Sequence, residues 1–315
     1  MVGKLTWFKA TSSIICALMG FPKYFNKQQC LKRAIDEKNG VYVDDYKQTN
    51  RQRTGDLLEQ PLIVEVADRL GLINVNPEID YKIEHPLLPL EASLDGLAEA
   101  DNLTIEEDIE RGIYLPHATK LTLNGQIPIE VKCTAEFPKD EPPEWLGVLQ
   151  LMSSMEILDA EYGVLIVLWQ GTDLRTYVYQ RQADFANKLK EVVLDFDRRV
   201  EEEDYYIPEC TEDAYLIFDK AEDEENVFIL DEGTVEDIDQ YLTLKGVAKQ
   251  AEETADLLMT NIMVAMGNHS KGRSEDYKVD WGTRNYKATK ERVVPAKEAR
   301  SIRLKTPKIT RIRND

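Results

Sequence analysis

The sequence predicts a mixed α/β fold: a mixed sheet flanked by helices, then a C-terminal extension with a long helix and β-prone segments. Three observations predict it. "YGVLIVLW" at 162–169 is a continuous apolar run rich in β-branched residues, the pattern of a central strand covered on both faces. Segments of helical period stand before and after a group of short strand-like runs, in the order helices, strands, helix, strand, strand, helix. Beyond residue 204 the chain turns acidic and then basic, which sets a core over 1–204 apart from an extension over 205–315.

Each element has its own signal. "KATSSIICALMG" reads as a short helix capped by Ser/Thr, and "NKQQCLKRAIDEKNG" as a second helix stopped by Gly40. "GDLLEQPLIVEVADRLGL" carries apolar residues at 57, 58, 62, 63, 66, 67 and 70, a helical spacing, with Pro61 expected to kink it or start its second half. "INVN", "EASLDGL", "KLTLNG" and "IPIEVK" are short strand candidates, and "PEWLGVLQLMSSMEILDA" returns to helical period. "LRTYVYQR" is expected to pair beside the central strand, and "ADFANKLKEVVLDFDRRV" is a long amphipathic helix. In the extension, "VAKQAEETADLLMTNIMVAMG" is helical, and "YKVDW" and "SIRLK" are candidate partner strands.

Charge is distributed unevenly over the 315 residues. Residues 1–53 hold ten Lys/Arg against four Asp/Glu, a net of +6, and residues 271–315 hold fourteen against six, a net of +8. The stretch between has fifteen against forty-eight, a net of −33. The total of −19 therefore does not exclude a polyanionic partner, because local patches set the footprint. No apolar run approaches the ~20 residues that cross a bilayer, so no membrane partner is expected. Cys16, Cys30, Cys133 and Cys210 lie far apart without a C-x-x-C, which argues against a zinc or iron–sulfur centre and fits a reducing, cytoplasmic compartment.

"IPIEVKCTAE" at 127–136 is the informative stretch, because Glu130 and Lys132 fall on one face of an apolar strand. Burying either charge costs several kcal/mol unless it is paired or bound to a metal. Read alone, the triplet serves equally as an exposed ion pair on an edge strand. Its context adds Asp95 in "ASLDGL", at a turn before Gly96, where neighbouring strands can bring Asp95 and Glu130 within one metal's reach. Two carboxylates, a backbone carbonyl and waters form the oxygen set that Mg2+ prefers. A lysine beside them can orient or deprotonate water and stabilise charge on a phosphate.

This arrangement resembles the PD-(D/E)xK nuclease core, of the restriction-endonuclease type, with Leu94 in the place of its proline. More closely, residues 10–182 resemble the YqaJ-type viral recombinases, the family of the lambda exonuclease. "TSSIICALMG" is similar to that family's T-A-S segment, "GDLLEQPLI" to its G-x-x-x-E helix, and "LQLMSSMEILDAEYGVLIVLW" to its Q-x-Q-x-x-M helix and following strand, with Met152 replacing the second Gln. The resemblance implies that Asp95, Glu130 and the Val131 carbonyl hold Mg2+ (or Mn2+ in its place), that Lys132 activates water, and that Glu59 helps with a second metal or the water. Gln150 takes the first Gln position as a further catalytic residue, and Ser13, with Ser12 and Lys9, grips a 5′ phosphate. It implies a phage-type exonuclease digesting duplex DNA ends 5′ to 3′ for a single-strand annealing protein, as a ring-shaped homotrimer in the host cytoplasm. Alternatives are an endonuclease, or a non-catalytic DNA-binding protein, of the same fold. Thirty-four residues separate Asp95 from Glu130, so an insertion is expected at about 98–120. Taken singly, Glu59 and Gln150 fit ordinary helix surface, Ser13 a helix cap, and Lys4 and Lys9 solvated positions. His85, His117 and His269 have no ligand spacing, and Trp7, Trp145, Trp169 and Trp281 fit packing roles.

Overall fold

A computed structural model describes residues 9–41, 47–218, 229–286, 300–303 and 308–311, so Lys4 and Trp7 fall outside the described residues. The chain divides into two compact units, 1–222 and 223–315. In the first, β1 (Ala10–Thr11) leads through a single tight turn, Ser12–Ile14, into α1 (Ile15–Leu18), followed by α2 (Lys27–Lys38) and α3 (Asn50–Leu70). Next come β2 (Ile73–Asn76), β3 (Lys82–Glu84), β4 (Leu90–Ser93), β5 (Gly96–Glu106), β6 (Ile113–Tyr114) and β7 (Lys120–Thr134). The unit closes with α4 (Leu149–Leu158), β8 (Tyr162–Trp169), β9 (Asp173–Gln180), α5 (Ala183–Glu202) and α6 (Thr211–Ile217). The mixed sheet flanked by helices is the fold class that the sequence predicts, and α6 belongs with the first unit although it lies past residue 204.

Six strands form the main sheet in the order β2-β5-β7-β8-β9-β6. β7 and β8 run parallel, as do β6 and β9, and the other pairs are antiparallel. Side chains of β8 alternate between two cores. Leu165, Val167 and Trp169 join α1, α2, α4 and α5 on one face, while Val164 and Ile166 join α3 on the other. A smaller sheet, β1-β4-β3, adjoins the turn at Ser12. Both α2 and α3 start with reciprocal caps. Asn26 accepts from the Gln29 N–H while the Gln29 side chain accepts from the Asn26 N–H, and Thr49 and Gln52 do the same. The α1 segment differs from expectation, because no side chain caps it and the hydroxyls of Thr11 and Ser13 bond to each other at 2.8 Å. Nor does Pro61 interrupt α3. The helix continues through it and buries its apolar stripe only afterwards, at Ile63, Val66, Ala67 and Leu70.

"KLTLNG" and "IPIEVK" turn out to be one fifteen-residue strand, β7. The segment expected as an insertion holds most of β5, then β6 and the first residue of β7, and β5 and β7 pair from Gly96↔Ile129 out to Glu106↔Lys120. A register shift between Ala100 and Leu103, with Asn102 at φ +44 and Gly125 at φ +79, bends the hairpin midway. Its outer half closes over α3, burying Leu123, Ile105 and Leu115 in the α3 core. Arg69 and Arg111 fasten the tip by each donating to the other's carbonyl, at 3.3 and 3.0 Å. The tip then delivers β6 to the edge of β9, pairing Ile113 with Thr176. A period-2 pattern reveals strands but not a bend that folds one half of a hairpin around a helix.

In the second unit, α7 (Glu232–Met266) starts fifteen residues before the predicted "VAKQ" segment, capped by Asp231 accepting from the Thr234 N–H at 2.7 Å. β10 (Lys271–Arg273), β11 (Tyr277–Asp280) and β14 (Lys308–Arg311) form one antiparallel sheet, and β12 (Thr283–Tyr286) pairs with β13 (Arg300–Arg303). "YKVDW" and "SIRLK" are thus both in strands but not with each other. Their lengths and compositions fit several pairings equally, so the sequence left the register open.

The docking of β6 makes a direct prediction. Gly112 sits at φ +70 and a Cβ there would lie 2.6 Å from the Leu174 carbonyl oxygen, a backbone atom that cannot turn aside. Gly112→Ala is expected to cost about 2 kcal/mol in urea unfolding and to open 107–119 to proteolysis. Unchanged stability and cleavage would show that the tip is not docked on β9.

Candidate active site

β7 outruns β5. Their pairing begins at Gly96↔Ile129, so residues 130–134 have β8 on one side and no β5 partner on the other. Asp95, in the turn between β4 and β5, fills the vacated place: its Oδ2 accepts from the Val131 N–H at 2.8 Å. N–H and C=O of one strand residue point to the same side, so the Val131 carbonyl faces the edge that Asp95 occupies. Alternation then puts Glu130 and Lys132 on the α4 face of the sheet, in register with Leu165 and Val167 of β8.

Glu130 is 1% exposed and Lys132 30% exposed, and they form a short ion pair through Glu130 Oε1. The other oxygen, Oε2, is buried with no hydrogen-bond partner among the described residues. Burial, with Asp95 next, pushes the Glu130 carboxyl up to about 8 despite the lysine. Burial works against the charged Lys132, but Glu130 and Asp95 outweigh it and raise its pKa. Glu59, half-buried on α3, is pushed up to about 7 by burial and then by Asp95 and Asp56. The structure therefore brings Asp95, Glu130, Val131 and Lys132 together and sets Glu59 within their field. An unpaired buried carboxylate oxygen, a second carboxylate and a carbonyl on one strand edge suit a hard dication with waters. Among the described residues, no group of three or more His, Cys, Asp or Glu side chains closes around a metal position.

The other expected residues are more dispersed. Lys9 pairs with Glu84 at 3.3 Å, Ser12 is buried, and Ser13 is exposed with its hydroxyl on Thr11. Gln150 is half-buried in the first turn of α4, where its carbonyl accepts from Ser154 Oγ at 3.1 Å. Met152, in the place of the second Gln, is buried in the core. His85 has a structural task, accepting at Nδ1 from the N–H groups of Leu87 and Leu88, both at 3.0 Å.

Two neighbours escaped the sequence reading. Cys16 on α1 lies close enough to the pair that its thiol, pushed up to about 11 by burial, is lowered by Lys132 and raised by Glu130. It also lies 3.8 Å from the Glu144 carbonyl oxygen. Gly147, φ +89, breaks the expected "PEWLGVLQLM" helix and leans on the stems of both charged residues. A glycine at an odd place in a helical pattern was the available signal.

Comparison with known proteins adds the following. The chain is similar to the alkaline exonuclease LHK-Exo from Laribacter hongkongensis, at 18% identity over 63% of this chain and 90% of that one, with a TM-score of 0.45. Its complex with dAMP gives 17% identity, the same coverages and a TM-score of 0.46. A phage-related exonuclease from Haemophilus somnus 129PT matches at 13% identity over 62% of this chain and 96% of that one, with a TM-score of 0.41. No family model matches the sequence, and no curated protein does.

Proton linkage at the site has a definite sign. Glu130 and Glu59 are raised to about 8 and about 7 in the folded chain, against roughly 4.3 for a free glutamate. The folded state then binds more protons than the unfolded one between about pH 4.5 and 8, and stability falls as pH rises through that window. Melting in EDTA is expected to show this fall, and Glu130→Gln to flatten it. Equal pH dependence in the two proteins would contradict a buried, raised Glu130.

Proposed function

We propose that this chain is a divalent-metal-dependent deoxyribonuclease of the PD-(D/E)xK type that digests duplex DNA from its ends. The carrying observation is Glu130, a buried carboxylate with one oxygen on Lys132 and the other without a partner. Asp95 stands beside it, tied to the Val131 N–H. A structural ion pair leaves no such orphan, because a half-satisfied buried carboxylate costs free energy that nothing else here offsets.

Asp95, Glu130 and the Val131 carbonyl are the residues that would hold the ion, Mg2+ or Mn2+. When bound, such an ion supplies positive charge against the scissile phosphate and polarises water. Lys132 does the rest of the electrostatic work. In the ion-free chain its neighbours keep it protonated, a donor aimed at oxygen atoms of water or phosphate. Cancelling the negative charge of Glu130 and Asp95 removes what raises its pKa, and brings the amine toward the range of a general base. Glu59, raised to about 7, is poised to take or return a proton near neutral pH. Ser13, exposed ahead of α1, is assigned to a 5′ phosphate, with Ser12 and Lys9 in support and Gln150 lining the approach. Digestion 5′ to 3′, a trimeric ring and delivery of single strands to an annealing protein belong to the same proposal. The basic ends supply the footprint for duplex DNA, in spite of the acidic middle.

The direct test incubates the protein and Mg2+ with linear duplexes bearing or lacking a 5′ phosphate, and with a covalently closed circle. Loss of the linear substrates with the circle intact is expected. Cutting of the circle would make the chain an endonuclease, and no digestion in either Mg2+ or Mn2+ would leave a DNA-binding protein.

Two variants locate the chemistry. Lys132→Ala is expected to abolish digestion while folding and DNA binding persist, and activity within about tenfold of the parent, ~1.4 kcal/mol of barrier, would remove the lysine from the mechanism. Asp95→Ala and Glu130→Ala should each eliminate metal-dependent activity, with the double variant no worse than either, because groups that act as one unit are non-additive. Losses that multiply would show that the two carboxylates do not share an ion.

A further inference from the structure

The approach to α4 is not helical. Leu146 adopts φ −88, ψ 50 and Gly147 φ 89, ψ −13, so the chain swings through a wide turn over Glu144–Val148 before the helix begins. Both flanks are anchored: Leu146 and Val148 are buried, and the Leu146 N–H donates to the Pro143 carbonyl at 2.8 Å. The turn presents bare main chain to the β7–β8 surface. A Cβ on Gly147 would lie 2.8 Å from Leu165 Cδ1, 3.1 Å from Lys132 Cγ and 3.4 Å from Glu130 Cγ. Leu165 is fully buried and paired in register with Glu130. A side chain at 147 would thus run into the stems of both members of the ion pair and into the residue beside them.

We propose that Gly147 is a positioning residue that holds Glu130 and Lys132 in their working geometry. This rests on the nuclease reading of the site. Lysine has four side-chain torsions, and nothing at the Glu130 end fixes more than the last atom of the pair. The bare backbone at 147 leaves the two Cγ atoms their present positions, which set the first torsions of both side chains, where a small rotation moves the terminal atoms furthest. A glycine is required twice over: for a backbone conformation that L side chains rarely adopt, and for the space its missing Cβ leaves. A regular helix through 144–158, as the sequence pattern suggests, would put a side chain where the structure has a peptide.

Gly163 supplies a matched control. It lies on β8 under the same helix and is equally crowded, since the three atoms nearest to a Cβ there would be Met155 Sδ at 2.8 Å, Leu151 Cδ1 at 2.9 Å and Met155 Cγ at 3.0 Å, all on α4 and none on Glu130 or Lys132. Gly147→Ala and Gly163→Ala are compared with the parent for melting temperature, for kcat and KM on linear duplex DNA, and for the Mn2+ concentration giving half the ion-induced thermal shift. Both should lose stability. Only Gly147→Ala should lower kcat by tenfold or more, with KM within about twofold, and raise the Mn2+ midpoint by fivefold or more. If Gly147→Ala does not fold, Gly147→Ala with Leu165→Val removes the nearest clash, and is judged in the same way against Leu165→Val alone. A drop in kcat no larger than that of Gly163→Ala, or an unchanged Mn2+ midpoint, overturns the proposal. Should the parent digest no DNA, the nuclease reading fails on its own, and the Mn2+ midpoints still decide whether Gly147 positions the pair.

Discussion

A carboxylate at 1% exposure needs two partners for its two oxygens, and Glu130 has one inside the protein. That imbalance is the constraint on which the site is built. Lys132 cannot lend itself further, being two residues away on the same strand and held to Oε1. Asp95 deepens the imbalance with a second negative charge, while its own Oδ2 is occupied by the Val131 N–H. The arrangement makes physical sense as half of a coordination shell, in which Lys132 balances part of the charge and an ion brought from solution balances the rest.

One strand carries both the architecture and the chemistry. The first part of β7 pairs with β5 in the hairpin that closes over α3, and its last five residues extend past β5 and expose an edge. Because the hairpin and α3 share a core, α3 is held against the same sheet, and Glu59 is carried on its outer turns toward Asp95 and Lys132. From the other face, the turn at Gly147 and the short α1 with Cys16 close over the pair. The half-exposed Lys132 is the part left open to solvent.

Much of this was legible because it depends on local pattern. Charges two apart in an apolar run must share a face, which placed Glu130 and Lys132 together, and a carboxylate at a turn before Gly96 pointed to Asp95. What the sequence hid depends on tertiary fit. The bend at Ala100–Leu103 was not legible, since pairing partners far from a turn carry no mark of each other. Pro61 was expected to kink α3 or to start its second half, and α3 runs on through it with its buried positions all beyond it. Gly147 fell inside a segment read as helical throughout, where the structure has a positive φ and no room for a Cβ beside Leu165 and Lys132.

Diffraction from crystals soaked in Mn2+, collected at the manganese absorption edge, tests the central claim most directly. The account predicts an anomalous peak about 2.1 Å from Glu130 Oε2, a typical distance to oxygen for a small hard dication, with an Asp95 oxygen and the Val131 carbonyl completing the protein ligands. A well-occupied peak elsewhere on the chain, with Glu130 Oε2 still unpartnered, would contradict it.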